Sequence, residues 1–449
     1  MNTETSNKEY LIKNANIVNE GRIFVSSVLV KDGKIAEIAD NISTTDQTIV
    51  IDAEGKYLLP GIIDTHVHFR DPGLTAKADF STESAAAAAG GVTSIIDMPN
   101  TKPQTTSKTL LDEKKKIAEE KSLVNYGFMV GATNDNIDEI LKIDSAEYAA
   151  IKLFLGSSTG NMLVNNDDEL EKLFAAANKI IVAHCEDEDT IINNTNHYKE
   201  IYGDTPPAKV HYLIRSDEAC YKSSEKAINM ANKYGTKFHL AHLSTEKELQ
   251  LLTAGNIENK NITAEVSPNH LWFCSDDYDK LENKIRCNPS IKTSTDREAL
   301  LQALKNNIID TVATDHAPHL LEEKERPYFQ SVSGMPSIQH SLLTMLEMWK
   351  QGKINIETIV NAMCHNPATI FGIKNRGYIR QGYCADLVLI DTDNSTIVCK
   401  DNLLYKCKWS PMEGYTFKNK IDKTFINGTL VYSDNTISTD TKGQALIFE

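Results

Sequence analysis

Gly61-Ile62-Ile63-Asp64-Thr65-His66-Val67-His68-Phe69-Arg70-Asp71-Pro72-Gly73 is the stretch on which the fold turns. Its first half is a β-branched apolar run, the composition of a strand buried on both faces, and Asp-Pro-Gly stops it. Side chains on a strand alternate with period two. His66 and His68 therefore share a face at the strand's C-terminal end, and Val67 takes the other. Two imidazoles on one face can chelate a single metal ion.

Outward from this strand the pattern repeats. Apolar runs at 92–98, 126–130, 150–155, 180–184, 237–242, 262–266 and 308–315 alternate with helix-like segments such as 81–89, 107–120, 167–178, 217–234 and 245–254. Eight strands alternating with helices predict an α/β chain built on a (β/α)8 TIM barrel over 59–377, with a doubly wound sheet as the alternative. Before the barrel, short strand-like runs surround the hairpin signal Lys31-Asp32-Gly33-Lys34 with no helical period. After it, 337–352 and 356–371 read as helices, and 386–390 and 424–432 return to strands. Both chain ends, 1–58 plus 378–449, are expected to build one small β-sandwich domain.

Composition narrows the function. The 449 residues carry a net charge of −15, which disfavours a nucleic-acid surface, because phosphate binding needs clustered Lys and Arg. An anionic small substrate would need its own cationic pocket. No run of about 18 apolar residues occurs, so no membrane span is expected, and the polar start Met1-Asn2-Thr3-Glu4-Thr5-Ser6-Asn7 lacks a secretory core. A cytoplasmic protein is the expectation. The eight cysteines contain no Cys-x-x-Cys pair and read as small hydrophobes rather than as disulfides or zinc thiolates.

In such a barrel the reactive groups come from the C-terminal ends of the strands. Strand one supplies His66 and His68, strand four Lys152, strand five His184, strand six His242 and strand eight Asp315. Imidazole and carboxylate suit divalent transition metals, zinc foremost, and this many ligands exceed what one open catalytic zinc needs. They suit two ions sharing a bridge. An ordinary ammonium at Lys152 would repel them and cost desolvation energy.

The motifs Asp64-Thr65-His66-Val67-His68-Phe69-Arg70-Asp71-Pro72-Gly73, Met98-Pro99-Asn100-Thr101, Lys152-Leu153-Phe154, Val182-Ala183-His184-Cys185-Glu186, His239-Leu240-Ala241-His242 and Thr314-Asp315-His316-Ala317-Pro318-His319 together resemble the dihydroorotases of the metal-dependent amidohydrolase superfamily. His-x-His alone marks only the superfamily. The Phe-Arg-Asp-Pro-Gly continuation and Asp-His-Ala-Pro-His are far more specific.

The resemblance implies two Zn2+ per chain. His66, His68, Lys152 and Asp315 would hold one, and Lys152, His184 and His242 the other. Lys152 would carry a carbamate that bridges them, alongside a bridging hydroxide. Asp315 would act as both ligand and general acid/base in the reversible cyclisation of N-carbamoyl-L-aspartate to L-dihydroorotate plus water, within pyrimidine biosynthesis. Arg70, Asn100 and His319 would hold the substrate carboxylate, and Asn288, in Arg286-Cys287-Asn288-Pro289, the pyrimidine edge. A homodimer and association with aspartate transcarbamoylase belong to the same set of implied arrangements.

Of the other histidines, His239 and His316 are expected to face away from the metals and His270 to play an orienting part. His197, His211, His340 and His365 carry no signal. Two segments depart from common family patterns: Lys152-Leu153-Phe154-Leu155-Gly156-Ser157-Ser158-Thr159-Gly160, which favours a lysine bridge over an aspartate one, and Ser333-Gly334-Met335-Pro336, where a substrate-covering Gly-Leu-Glu-Thr loop is usual. The rival readings are another cyclic amidohydrolase (allantoinase, hydantoinase or dihydropyrimidinase) and a non-catalytic scaffold. The first lacks a substrate carboxylate for Arg70 to bind. The second would have lost cage residues.

Overall fold

The chain opens with five strands that never enter the barrel: β1 (Glu9–Asn19), β2 (Arg22–Lys31), β3 (Lys34–Ala39), β4 (Thr48–Asp52) and β5 (Tyr57–Pro60). In this computed structural model, residues 8–156, 162–439 and 441–449 are described. The polar start at 1–7 and most of the segment after Gly156 that departs from the family pattern lie outside them. Asp32 and Gly33 both have positive φ, the primed turn that matches strand twist, so the predicted hairpin joins β2 to β3.

The barrel strands follow: β6 (Ile62–Val67), β7 (Val92–Asp97), β8 (Asn125–Gly131), β9 (Ala150–Leu155), β10 (Ile181–Cys185), β11 (Phe238–Leu240), β12 (Ile262–Val266) and β13 (Thr311–Val312). They pair in sequence order as one parallel sheet. Between the last strand and the first, the seam is closed by side chains and a single bridge: Thr314 donates its N–H (3.0 Å) and its hydroxyl (2.7 Å) to the Asp64 carboxylate, and His68 N–H donates to His316 O at 2.8 Å. The (β/α)8 reading therefore holds.

Two strands are shorter than their apolar runs suggest. Pairing on β11 stops at Leu240 and on β13 at Val312, because the backbone soon turns left-handed, at His242 (φ 35°) and Asp315 (φ 48°). Ile308 belongs to the turn that ends helix Ser294–Lys305, where its N–H reaches back to Ala303 O. The expected helix at 245–254 is only a 3-10 turn, Lys247–Leu251. Glu248 turns inward there and accepts from Ser224 and Thr245 hydroxyls, tying the segment to the neighbouring helix.

After the barrel come β14 (Leu387–Asp391), β15 (Thr396–Ile397), β16 (Thr416–Phe417), β17 (Lys420–Ile426), β18 (Thr429–Ser433) and β19 (Thr436–Ile437). β14 pairs with β5, joining both chain ends in one nine-stranded sheet that branches at β1. Its core gathers Tyr10, Ile12, Ile17, Val28, Leu58, Leu387 and Phe425. The last nine residues leave that sheet. Leu446 pairs back onto Tyr126 near the start of β8, and Leu446 and Phe448 join Ile63, Ile96, Met129, Ala150 and Val182 in one buried cluster. The chain's end thus packs against the barrel, not the terminal sheet. Six cysteines are buried, while Cys384 and Cys399 are partly exposed, so not every one is a core hydrophobe.

Candidate metal centre

Four histidines, a lysine and an aspartate from five strand ends converge at the barrel mouth. His66 and His68 follow the period-two alternation of β6, with ring centroids 5.5 Å apart. The His242 ring lies 5.2 Å from that of His66 and 4.8 Å from that of His184. Asp315 Oδ1 lies 3.1 Å from His68 Nε2 and 3.4 Å from His66 Nε2. His66, His68 and Asp315 together present ligand atoms all within 4.8 Å of one another. Lys152 is wholly buried beside them, its Nζ over the Phe154 ring.

Three of the four rings are aimed by a bond at the far side. His66 Nδ1–H donates to Glu265 Oε1 (2.7 Å), His68 Nδ1–H to Asn100 Oδ1 (2.7 Å) and His184 Nε2–H to Glu186 Oε2 (2.8 Å). The opposite nitrogens are left as lone pairs pointing inward, the arrangement metal-binding histidines require. Glu186 is also ion-paired to Arg215. Burial would raise its carboxyl, but Arg215 and His184 draw it down to about 2. Glu265 likewise stays ionised, since His66 and His239 outweigh its burial.

The electrostatics favour ligation. Burial holds His68 at about 4 and lowers His184 and His242, so these imidazoles are neutral at pH 7, the form that coordinates metal. Burial pushes Asp315 up, yet His66, His68 and His242 keep it well below the usual carboxylate range. Lys152 falls to about 8 through burial. Three atoms here are buried without hydrogen-bond partners among the described residues: Lys152 Nζ, His242 Nδ1 and Glu186 Oε1. His242 Nε2 and His184 Nδ1 also face each other at 2.9 Å with at most one proton between them. Such a donor set, rich in lone pairs and poor in protons, fits bound cations.

A cavity of about 280 Å3 opens from this cluster. Arg70, Asn100, Asn288 and His319, all singled out from the sequence, line it, as do Arg286 and Ser331–Gly334. Arg70 is buried at φ 64° and contacts His319 Nε2 (3.0 Å) and Pro318 O (3.2 Å), while Asp71 pairs instead with Lys121. Asn100 spends its carbonyl on His68, a tie the sequence did not suggest.

Sequence reasoning missed the carboxylates behind the rings. Glu186 sits two residues past His184, so the parity that pairs His66 with His68 also finds it. Glu265 is an acid inside the apolar run of β12, as conspicuous as Lys152 in β9. His211 carried no signal, yet its Nε2 lies 2.8 Å from Cys287 O and 3.2 Å from Asn288 Oδ1, holding the Asn288 loop. His270 steadies the same loop through Pro289 O at 3.1 Å. His316 faces Glu83 (2.8 Å). His239 is no cage residue, but it is not turned away: the irregular backbone at His242 breaks the alternation, and His239 packs below the cage with Nε2 3.8 Å from Glu265.

Residues 57–431 match the model of the Amidohydrolase family. Similar proteins named dihydroorotase include that of Methanosphaera stadtmanae, 32% identical over 415 residues that cover 92% of this chain and 94% of the relative. That of Pyrococcus abyssi is 31% identical over 431 residues, covering 96% of each chain. Among solved structures, L-hydantoinase (dihydropyrimidinase) from Arthrobacter aurescens superposes with a TM-score of 0.93 at 28% identity, covering 98% of this chain and 99% of that one. Dihydropyrimidinase from Brevibacillus agri NCHU1002 follows at 0.87 and 25%, with 96% of each chain covered. No helix among the described residues is long and apolar enough to cross a membrane.

Proposed function

The chain belongs to the amidohydrolase family, and we propose that it is a zinc-dependent dihydroorotase, interconverting N-carbamoyl-L-aspartate and L-dihydroorotate in pyrimidine biosynthesis. The observation that carries this reading is the Arg70–His319 pair on the wall of the cavity that holds the cage. A planar guanidinium beside an imidazole suits a carboxylate, which dihydroorotate keeps through the reaction and hydantoin lacks.

His66, His68, Lys152 and Asp315 would hold one ion and Lys152, His184 and His242 a second. When bound, the ions supply Lewis acidity at the ring carbonyl and lower the pKa of an attacking water. Lys152, lowered by burial to about 8, has an appreciable neutral fraction. Its amine nitrogen can add to the carbon of CO2 and lose a proton, giving an anionic carbamate that removes the charge conflict of an ammonium among cations. An unmodified amine at Lys152 in a crystal structure of active enzyme would contradict this.

Asp315, ionised and with Oδ1 3.1 Å from His68 Nε2, takes the proton released during attack and delivers it to the departing ring nitrogen. Arg70 and His319 hold the carboxylate, and Asn288, braced by His211, meets the pyrimidine edge. In the cyclising direction the same proton path runs backwards.

A hydantoinase or dihydropyrimidinase is the second reading, favoured by the Arthrobacter aurescens superposition. Turnover of L-dihydroorotate, 5,6-dihydrouracil, hydantoin and allantoin, measured side by side, separates the two. Preference for any uncharged ring ends the dihydroorotase reading. A chain that binds no zinc and turns over none of them would instead be a scaffold.

A further inference from the structure

His319 is gripped from both sides by groups that can only donate. Lys77 Nζ lies 2.8 Å from Nδ1, and Arg70 Nη2 lies 3.0 Å from Nε2. Ammonium and guanidinium have no acceptor capacity. A neutral imidazole has one lone pair, so it can satisfy one of them; burial and the neighbouring cations Arg70, Lys77 and Lys324 hold His319 well below its ordinary range, hence neutral.

Geometry says which one. Lys77 is anchored by Glu323, whose Oε1 lies 2.8 Å from Nζ and whose Oε2 accepts the Leu320 N–H at 3.0 Å. The His319 backbone is anchored as well, because its carbonyl accepts the Trp409 indole N–H at 2.7 Å. Were the proton on Nδ1, it would face the Lys77 ammonium, and Glu323 Oε2, 3.7 Å away, is too far to accept it. With the proton on Nε2, Lys77 donates to the Nδ1 lone pair and the conflict moves to the cavity side. There an Nε2–H and the Arg70 guanidinium confront each other, with the Ser333 backbone carbonyl an acceptor near the ring.

We propose that Lys77, held by Glu323, is a positioning residue that fixes His319 as its Nε2–H tautomer, so that His319 and Arg70 form a two-donor clamp for a substrate carboxylate. The clamp aims two donors at one place, and an entering anion accepts from both. It therefore rewards a ring bearing a carboxylate and gives nothing to one without it. This rests on the dihydroorotase reading for the identity of the anion, but not for the tautomer.

The test uses the full zinc-loaded chain with 13C,15N-labelled histidine, and kinetics on L-dihydroorotate and 5,6-dihydrouracil. In the unaltered protein the His319 ring shifts should report Nε2–H. Lys77→Met should move them towards Nδ1–H and lower the dihydroorotate-to-dihydrouracil ratio of kcat/KM by about tenfold or more, through KM rather than kcat, as expected for loss of a charge-assisted hydrogen bond. Lys77→Arg should restore most of the ratio. If Lys77→Met does not fold, Glu323→Gln, which loosens the grip on Lys77, should give a smaller shift of the same kind. An Nδ1–H ring in the unaltered protein, or a ratio unmoved in the folded variant, overturns the proposal. Absence of dihydroorotate turnover in the unaltered chain defeats the functional reading instead, and the ring shifts still decide the tautomer.

Discussion

The two ends of the barrel are built from the same strands and could hardly differ more. At the mouth, β6, β9, β10 and the turns after β11 and β13 deliver His66, His68, Lys152, His184, His242 and Asp315, each buried or nearly so and three of the four rings braced from behind. At the opposite end, Ile63, Ile96, Met129, Ala150 and Val182 close on Leu446 and Phe448 in one apolar cluster, with Lys179 over the Phe448 ring. The contrast teaches that one end holds polar groups in place for chemistry at a cost in burial, while the other recovers stability through apolar packing.

The contrast can be broken by experiment. Asp315→Asn should lower kcat by about 10²–10⁴-fold, the usual worth of a general acid/base, while the thermal midpoint barely moves. A parallel collapse in stability would show that the mouth, too, holds the fold. Phe448→Ala should do the reverse. Removing a buried aromatic that packs against Gly127 should cost about 3–5 kcal/mol in urea unfolding and leave KM unchanged. A KM that rises with it would mean the two ends are coupled.

Smaller changes sharpen the picture. Glu265→Gln keeps an acceptor for His66 but removes the charge, and should weaken zinc affinity by about 10–100-fold, read by competition with a chelator. Unchanged affinity would strip Glu265 of its bracing role. The least effect concerns pH. Burial alone pushes His340, packed on Tyr405 and Phe417, down to about 3 from 6.5. Because folding favours its neutral form, that stability is complete above pH 6.5 and is lost as the pH falls, by about 2 kcal/mol between pH 7 and pH 5. In the folded variant His340→Gln, the urea midpoint should lose less over that interval than in the parent.

Much of the cage was legible because strand arithmetic is local. His66 and His68 follow from period two, and the ligand-bearing ends follow from apolar runs that stop at polar residues. That arithmetic fails where the backbone departs from the strand. Arg70, His242 and Asp315 all take positive φ, an uncommon and strained state for non-glycine residues. That is why His239 lies under the cage rather than across the sheet from it. The expected helix at 245–254 failed for a related reason: Glu248 found buried hydroxyl partners that periodicity cannot see.

Alternation, composition and motif spacing were enough to establish a barrel, its accessory sheet and the residue types gathered at its mouth. These depend on the chain's own periodicity, which any window of sequence displays. The partners of each ring were decided only by the tertiary structure. Glu265 is 199 residues from His66, and Lys77 is 242 from His319. Contacts between segments so distant are set by closure of the barrel, and that closure decides which acceptor stands behind each braced imidazole.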